Sequence, residues 1–281
     1  MLELRHLYPI AALLKLAGLA RSTFYYQQKA RESVDKYQQI KDSIREVFDR
    51  HKGRYGYRRI TATLVQMGKH VNHKTVQRLM NQLGLRSLVR PKKYRSYRGA
   101  MGVAAPNILA RQFNAQQINQ KWVTDVTEFN VAGEKLYLSP VLDLYNGEIV
   151  AFETSRRPIF EMVGSMLQQA TTKLAPQDTP IIHSDQGWQY QMPTFRKMLK
   201  QRQITQSMSR KGNCLDNATM ESFFGTLKSE FFYLNKFSSY EELNKGLKEY
   251  IHYYNNDRIK LKLKGLSPVQ YRNQSLSTLA T

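Results

Sequence analysis

Three acidic residues stand at places where their types and spacing could do chemistry. Asp125 lies among Val123, Val126 and Phe129, inside a stretch that reads as a strand and where a charge is unwelcome. Asp185 follows the apolar run Pro180-Ile181-Ile182-His183, at a strand end. Glu221 comes four residues after Asn217, near the start of an expected helix, and 35 residues separate it from Asp185. Mg²⁺ takes oxygen ligands and keeps several waters, so a few convergent carboxylates are enough to hold it. Two such ions about 4 Å apart can activate a water or a 3′-hydroxyl on one side and stabilise a leaving oxygen on the other. Taken singly, each acid also has an ordinary reading. Asp125 could be a paired buried acid, Asp185 a turn former before Gln186-Gly187, and Glu221 a favourable charge near a helix N-terminus.

The elements that must position these acids are legible as patterns. Lys121–Asn130 reads as one strand, Lys135–Asp143 as a second and Glu148–Thr154 as a third, with Asn146-Gly147 as the hairpin turn. Pro158 opens a helix to about Lys173; a short strand (179–183), a helix (193–201) and another strand (204–207) follow. A polar loop, 208–216, leads into helix 217–231 and a long helix near 239–255. Three antiparallel strands, a helix and a strand–helix–strand unit make a mixed five-stranded sheet with helices packed on it, the order of the ribonuclease-H-like fold. The fold class is therefore α/β, preceded by an all-α region. Asp143, His183, Trp122 and Trp188 read as structural or site-wall residues, and Cys214 as a small packing residue.

The charge of the chain points to its partner. It has 281 residues and a net charge of +21, from 43 Lys+Arg against 22 Asp+Glu. Residues 1–117 carry 23 Lys+Arg and only 6 Asp+Glu, whereas the rest carry 20 and 16. Such asymmetry fits a nucleic-acid-binding front half joined to a more ordinary domain. Within it, residues 9–17, Gly18 and a second start capped by Ser22 outline a helix-turn-helix over residues 1–30. Residues 31–88 outline another. Helix 33–50 precedes the basic, aromatic turn His51–Arg59, a helix beginning at Ile60 follows, and Asn72 caps a helix over 73–83. Val76, Leu79, Met80 and Leu83 would face inward, leaving His73, Lys74, Gln77, Arg78 and Asn81 outward with no acid among them. Arg54, Arg58 and Arg59 in the turn are further candidate DNA contacts. Residues 89–118 form a basic linker in which Lys92, Lys93 and Arg95, interspersed with tyrosines, could track a phosphate backbone. Arg210 and Lys211, in the loop before the helix of Glu221, are read the same way. Lys228 lies seven residues after Glu221, two helical turns less about 20°, and so shares its face.

The segments WVTDVTEF (122–129), HSDQGWQY (183–190) and SRKGNCLDNATMESFFGTLKSE (209–230) resemble the OrfB-type transposases of bacterial insertion sequences, in the retroviral-integrase (DDE) superfamily. HKGRYGYRRI (51–60), VNHKTVQRLM (71–80) and YYNNDRIKLKLKGLSPVQYR (253–272) resemble the same proteins, so the likeness covers nearly the whole chain. It implies that residues 119–281 are an integrase catalytic core with a C-terminal helical tail. It further implies a catalytic, metal-ligating triad of Asp125, Asp185 and Glu221, two Mg²⁺ (or Mn²⁺) ions, and double-stranded DNA as substrate: the element's terminal inverted repeats and a target. A water frees a 3′-hydroxyl, which then attacks another phosphodiester. A basic residue at the position of Lys228 contacts the transposon end. Partners implied are further copies of the chain on DNA and the product of an upstream reading frame.

Other classes fit less well. One cysteine allows neither an internal disulfide nor a Cys-rich zinc site, and His51, His70 and His73 have no cysteine nearby, so no zinc is expected. The longest mostly apolar stretch, Tyr8–Ala20, is broken by Lys15 and too short to span a bilayer, which points to a cytoplasmic protein with no membrane partner. A non-catalytic DNA-binding regulator would need the basic front half but not the three acids. A nuclease of RNA–DNA hybrids would need the acids but not the helix-turn-helix units.

Overall fold

The computed structural model of the chain describes residues 3–32, 35–89, 105–210 and 214–279. Two short helices lead, α1 (Ile10–Leu16) and α2 (Arg21–Glu32), with Leu13, Leu14 and Phe24 buried between them. Helix α2 starts a residue earlier than its expected cap. The Phe24 N–H donates to the Ala20 carbonyl, so Ala20 holds the capping position and Ser22 lies inside the first turn.

Three helices follow: α3 (Gln38–Arg50), α4 (Tyr57–Gln66) and α5 (His73–Gln82). Their inward residues Ile44, Val47, Ile60, Leu64, Val76, Leu79 and Met80 share one core with Tyr55. Asn72 caps α5 as expected, its side chain accepting from the Lys74 N–H at 2.8 Å. Ile259, from far down the chain, completes this core.

The second body is a mixed sheet between two layers of helices. Its strands are β1 (Lys121–Thr124), β2 (Thr127–Val131), β3 (Glu134–Asp143), β4 (Ile149–Ser155), β5 (Ile181–Ser184) and β6 (Thr205–Met208). The single strand expected over 121–130 is interrupted. One antiparallel register against β3 runs through both β1 and β2, from Trp122↔Asp143 to Val131↔Glu134. The break falls at Asp125, whose own carboxylate takes the Val126 N–H at 2.7 Å. Counted by lanes the sheet is five-stranded, with β4 beyond β3, and β5 and then β6 parallel to β1 on the other side. Gly147, at φ +69°, makes the turn before β4.

Side chains alternate between the faces, as strand geometry requires. Trp122, Val141, Ile182 and Met208 pack against α6 (Phe160–Thr171), α7 (Trp188–Gln191) and α8 (Pro193–Gln201). Val123, Leu136, Leu138 and Leu142 pack against α9 (Ala218–Glu230) and α10 (Tyr240–Asn256). The last described element is α11 (Pro268–Leu279), which reaches back to the β3–β4 turn through Arg272 on Glu148. Residues 105–111, expected as linker, pack along the sheet edge. The Ile108 and Leu109 N–H groups both donate to Ser207 Oγ, and Leu109 is buried.

The helical body and the sheet body meet at the far end of α9. Glu230 is 3% exposed and accepts from Arg258 at 2.7 Å twice, from Arg59 at 3.1 Å and from the Tyr250 hydroxyl at 3.2 Å. Beside it the Ile259 N–H donates to the Tyr55 hydroxyl at 2.9 Å, and Gln66 donates to the Gly265 carbonyl.

Candidate active site and nucleic-acid interface

Asp125 and Asp185 are the residues that follow the last positions of two adjacent parallel strands, β1 and β5. The register pairs Val123 with His183, and two residues further along it stand the two aspartates. Neighbouring strands lie about 5 Å apart, so the carboxylates share one spot at the sheet's centre. Both side chains are half-buried. Burial first, then the charge of Asp185, pushes the Asp125 pKa well above the usual carboxylate range; Glu221 adds to this and Lys228 opposes it. Asp185 is also raised by burial, against the pull of the Gly187 N–H on its Oδ1 at 2.9 Å. Glu221, on the first turn of α9, is raised by burial.

Two like charges driven together out of water favour either a shared proton or a cation. The donor set is all oxygen, which suits Mg²⁺ or Mn²⁺ and not a soft metal. Among the described residues no group of three or more His, Cys, Asp or Glu is drawn together tightly enough to be a formed metal site. The residues fit the ion chemically, with the aspartate pair as its nucleus and Glu221 close enough for its charge to act on Asp125.

Tyr190 forms the floor of the site and was not singled out from sequence. It is 1% exposed, lies 3.4 Å from the Thr124 hydroxyl, and is held protonated by burial and by the charges of Asp125 and Asp185. Its spacing of five from Asp185, inside HSDQGWQY, was the available signal. His183 has the structural role expected of it: Nδ1 meets Ser207 Oγ at 2.8 Å and Nε2 meets Ser209 Oγ at 3.1 Å. Asp143 is likewise structural, accepting from the Asn119 and Tyr145 N–H groups. Trp122 is fully buried, whereas Trp188, three residues after Asp185, is 52% exposed.

The basic residues divide into two sets. His73, Lys74, Gln77 and Arg78 are exposed along one face of α5, and Arg58 is exposed at the start of the preceding helix, α4. From Arg50 to Thr124 the chain contains no Asp or Glu, so the acids of this body are confined to α3 (Asp42, Glu46 and Asp49) and to Asp35 just before it, which feels the charge of Arg78. Arg54 and Arg59, by contrast, turn inward. Arg54 donates to the Glu230 carbonyl at 3.0 Å and lies over the Tyr253 ring, while Arg59 pairs with the Glu230 carboxylate. Arg210 is also engaged, clasping Asp216 through its backbone N–H, Nε and Nη2. Lys228 is half-buried, with Nζ 5.3 Å from the centre of the Phe129 ring and near Glu128 and Asp125. Glu230, two residues on and on another face of α9, is held by Arg258 and Arg59. Lys92, Lys93, Arg95 and Lys211 lie outside the described residues, as does the side chain of Cys214.

A mixed sheet with neighbouring carboxylates at the ends of parallel central strands, a third acid on the helix across them and a helical body in front whose α4 and α5 carry no acid define a DNA-processing enzyme core of the integrase class. Family comparison agrees: an integrase core domain matches residues 115–214, a second integrase core model residues 221–276, and an HTH-like domain residues 36–93. The chain is 56% identical to the protein named as transposase InsK for insertion sequence element IS150 of Escherichia coli (strain K12), over 97% of this chain and 96% of that one. It is 55% identical to a transposase-like protein of Haemophilus influenzae over 74% of this chain and 95% of that one. It is 33% identical to transposase InsF for IS3A of Escherichia coli over 96% of each. The chain belongs to the insertion-sequence transposases with an integrase core, in the DDE superfamily. Among solved structures, the HTLV-2 integrase catalytic core domain in complex with magnesium aligns at a TM-score of 0.45 and 18% identity, over 56% of this chain and 98% of that one.

Proposed function

We propose that the chain binds the terminal repeats of its own element, cleaves to free 3′ ends and joins those ends to target DNA. Asp125, Asp185 and Glu221 are its catalytic carboxylates, and they would hold two Mg²⁺ or Mn²⁺ ions. When bound, such ions make a water or hydroxyl nucleophilic at neutral pH and neutralise charge on the leaving oxygen. The carboxylates fix where the scissile phosphate sits, and Tyr190 closes the floor beneath them against water. In cleavage, a water oxygen bonds to phosphorus, the bond from phosphorus to the 3′ oxygen breaks, and that oxygen leaves as a hydroxyl. In joining, that hydroxyl bonds to a target phosphorus and the target's own 3′ oxygen departs.

The observation that carries this reading is the Asp125–Asp185 pair. A regulator that only binds DNA gains nothing from two carboxylates crowded out of water at a sheet centre, one of which raises the proton affinity of the other. The exposed face of α5 supplies end recognition, with His73, Lys74, Gln77 and Arg78 toward the groove and Arg58 toward phosphate. Lys228, sharing a helix with Glu221, meets DNA beside the carboxylates. The chain acts in the bacterial cytoplasm, on nucleoid DNA, as several copies assembled with the element ends. Asp125→Asn, Asp185→Asn and Glu221→Gln each keep side-chain shape and remove a ligating charge. Each is expected to abolish cleavage and joining of an end-containing duplex in Mg²⁺ while leaving end binding within about threefold, since the contacts to DNA lie elsewhere. Near-wild-type joining by any one of them removes that residue from the triad.

A further inference from the structure

Residues Asp216 and Asn217 touch the carriers of all three carboxylates while standing on neither aspartate's strand, at the entry to α9. Asp216 is fully buried and is the most heavily bonded acid in the described chain. It accepts from Arg210 (N–H 3.0 Å, Nε 3.1 Å, Nη2 3.1 Å), from Arg111 Nε at 2.8 Å and from Asn107 Nδ2 at 3.0 Å. Those partners come from the loop after β6 and from the strap 105–111, so one carboxylate ties strap, loop and the entry to α9 together. The strand of Asp185 joins the same knot. His183, two residues before Asp185, bonds Ser209 and lies against the Asp216 backbone, and the Ser209 N–H donates to the Ser184 carbonyl at 2.9 Å.

Asn217 makes the remaining link. Its Nδ2 donates to the carbonyl of Thr124, the residue before Asp125, at 3.4 Å. Its Oδ1 is buried and has no hydrogen-bond partner among the described residues. A buried amide with an idle acceptor is costly, so a purely packing role would be better filled by an apolar residue. The next residue begins α9, and Glu221 follows one turn later.

We propose that Asp216 and Asn217 are positioning residues that set Glu221 against the Asp125–Asp185 pair, and that the strap 105–111 is part of the frame of the active site. Asp216 anchors the helix entry from outside, and Asn217 fixes its distance to the strand of Asp125. The inference rests on the three carboxylates being the metal ligands.

The test uses the full chain and Mn²⁺ alone, with unbound Mn²⁺ counted by its electron paramagnetic resonance signal. Asn217→Leu keeps the shape and removes the donor. Loss of an outer partner of a metal ligand typically lowers affinity by about 10–100-fold. Asn217→Leu is therefore expected to bind Mn²⁺ about tenfold more weakly. It should join ends with a lower kcat at unchanged KM for DNA, keep the wild-type thermal midpoint, and recover rate in excess Mn²⁺. Wild-type Mn²⁺ binding and joining in the folded variant would overturn the proposal. So would parallel losses of stability and rate that excess Mn²⁺ does not restore. Should Asn217→Leu fail to fold, Arg111→Ala removes only the outer arm on Asp216, since the Arg111 side chain is 44% exposed. Weaker Mn²⁺ binding supports the proposal, and unchanged binding overturns it. Asp125→Asn run in parallel separates the two levels. If it binds Mn²⁺ as tightly as wild type, the carboxylate reading itself has failed, and the positioning role with it.

Discussion

Removing the Glu230 carboxylate should release the helical body from the catalytic core. Glu230→Ala leaves Arg258, whose side chain is 7% exposed, buried without its bidentate partner and deprives Arg59 and Tyr250 of theirs. Breaking a buried pair from one side typically costs ~3–5 kcal/mol, because the orphaned charge stays out of water. For chains of about this size 1 kcal/mol moves the thermal midpoint by roughly 2–4 °C, so a drop on the order of 10 °C is expected. The pH dependence has a definite sign. Burial alone would raise the Glu230 pKa, but Arg258 and Arg59 outweigh it and hold the carboxyl below its ordinary 4.5. Its contribution is therefore complete above pH 4.5 and fades as pH falls through the lower folded value. The assay is thermal unfolding by circular dichroism at pH 7 for wild type, Glu230→Ala, Arg258→Ala and the double variant. The double variant should lose less than the two single losses added together, because each partner is costly mainly when left alone. Additive losses, or a Glu230→Ala midpoint within 2–3 °C of wild type, which is about 1 kcal/mol, would refute the knot as what joins the two bodies.

Further outcomes are expected elsewhere. Lys74→Ala and Arg78→Ala should each weaken end binding and lower the slope of log K against log salt by about 1, measured by fluorescence anisotropy from low to high salt. Lys228→Ala should slow joining and move the acid limb of its pH–rate profile upward, because the ammonium is a charge that opposes protonation of Asp125; an unmoved limb would make Lys228 ordinary surface. Burial holds His183 and His51 neutral, with pKa values lowered from 6.5 to about 4. Stability from both should be present above pH 6.5 and lost as pH falls toward 4, and His183→Gln should flatten that decline in chemical-denaturation curves.

Local pattern carried much of the architecture. Short apolar runs between turn residues gave the strands, 3.6-residue spacing gave the helices, and Asn72 and Asn146-Gly147 gave a cap and a turn, because each depends on neighbours a few residues away. Asp125 stood out for the same reason, as a carboxylate inside an apolar run, whereas Asp185 and Glu221 drew their significance from the family resemblance. The outward face of α5 was legible too, since one helix alone decides which residues oppose its apolar stripe. Other features depend on contacts between distant parts of the chain. Neither Arg54 nor Arg59 betrays that Glu230, more than 170 residues on, turns it inward. Ile259 offers no hint that it finishes the core of α3–α5, and the break of the first strand at Asp125 shows only against an unbroken register with β3. The sequence by itself determined which residues could ligate, which could touch DNA and which elements carry them, because side-chain chemistry and periodicity are local. Only the tertiary structure decided which basic residues stay exposed and which are paired within the fold, because burial and charge pairing depend on what the folded chain brings alongside.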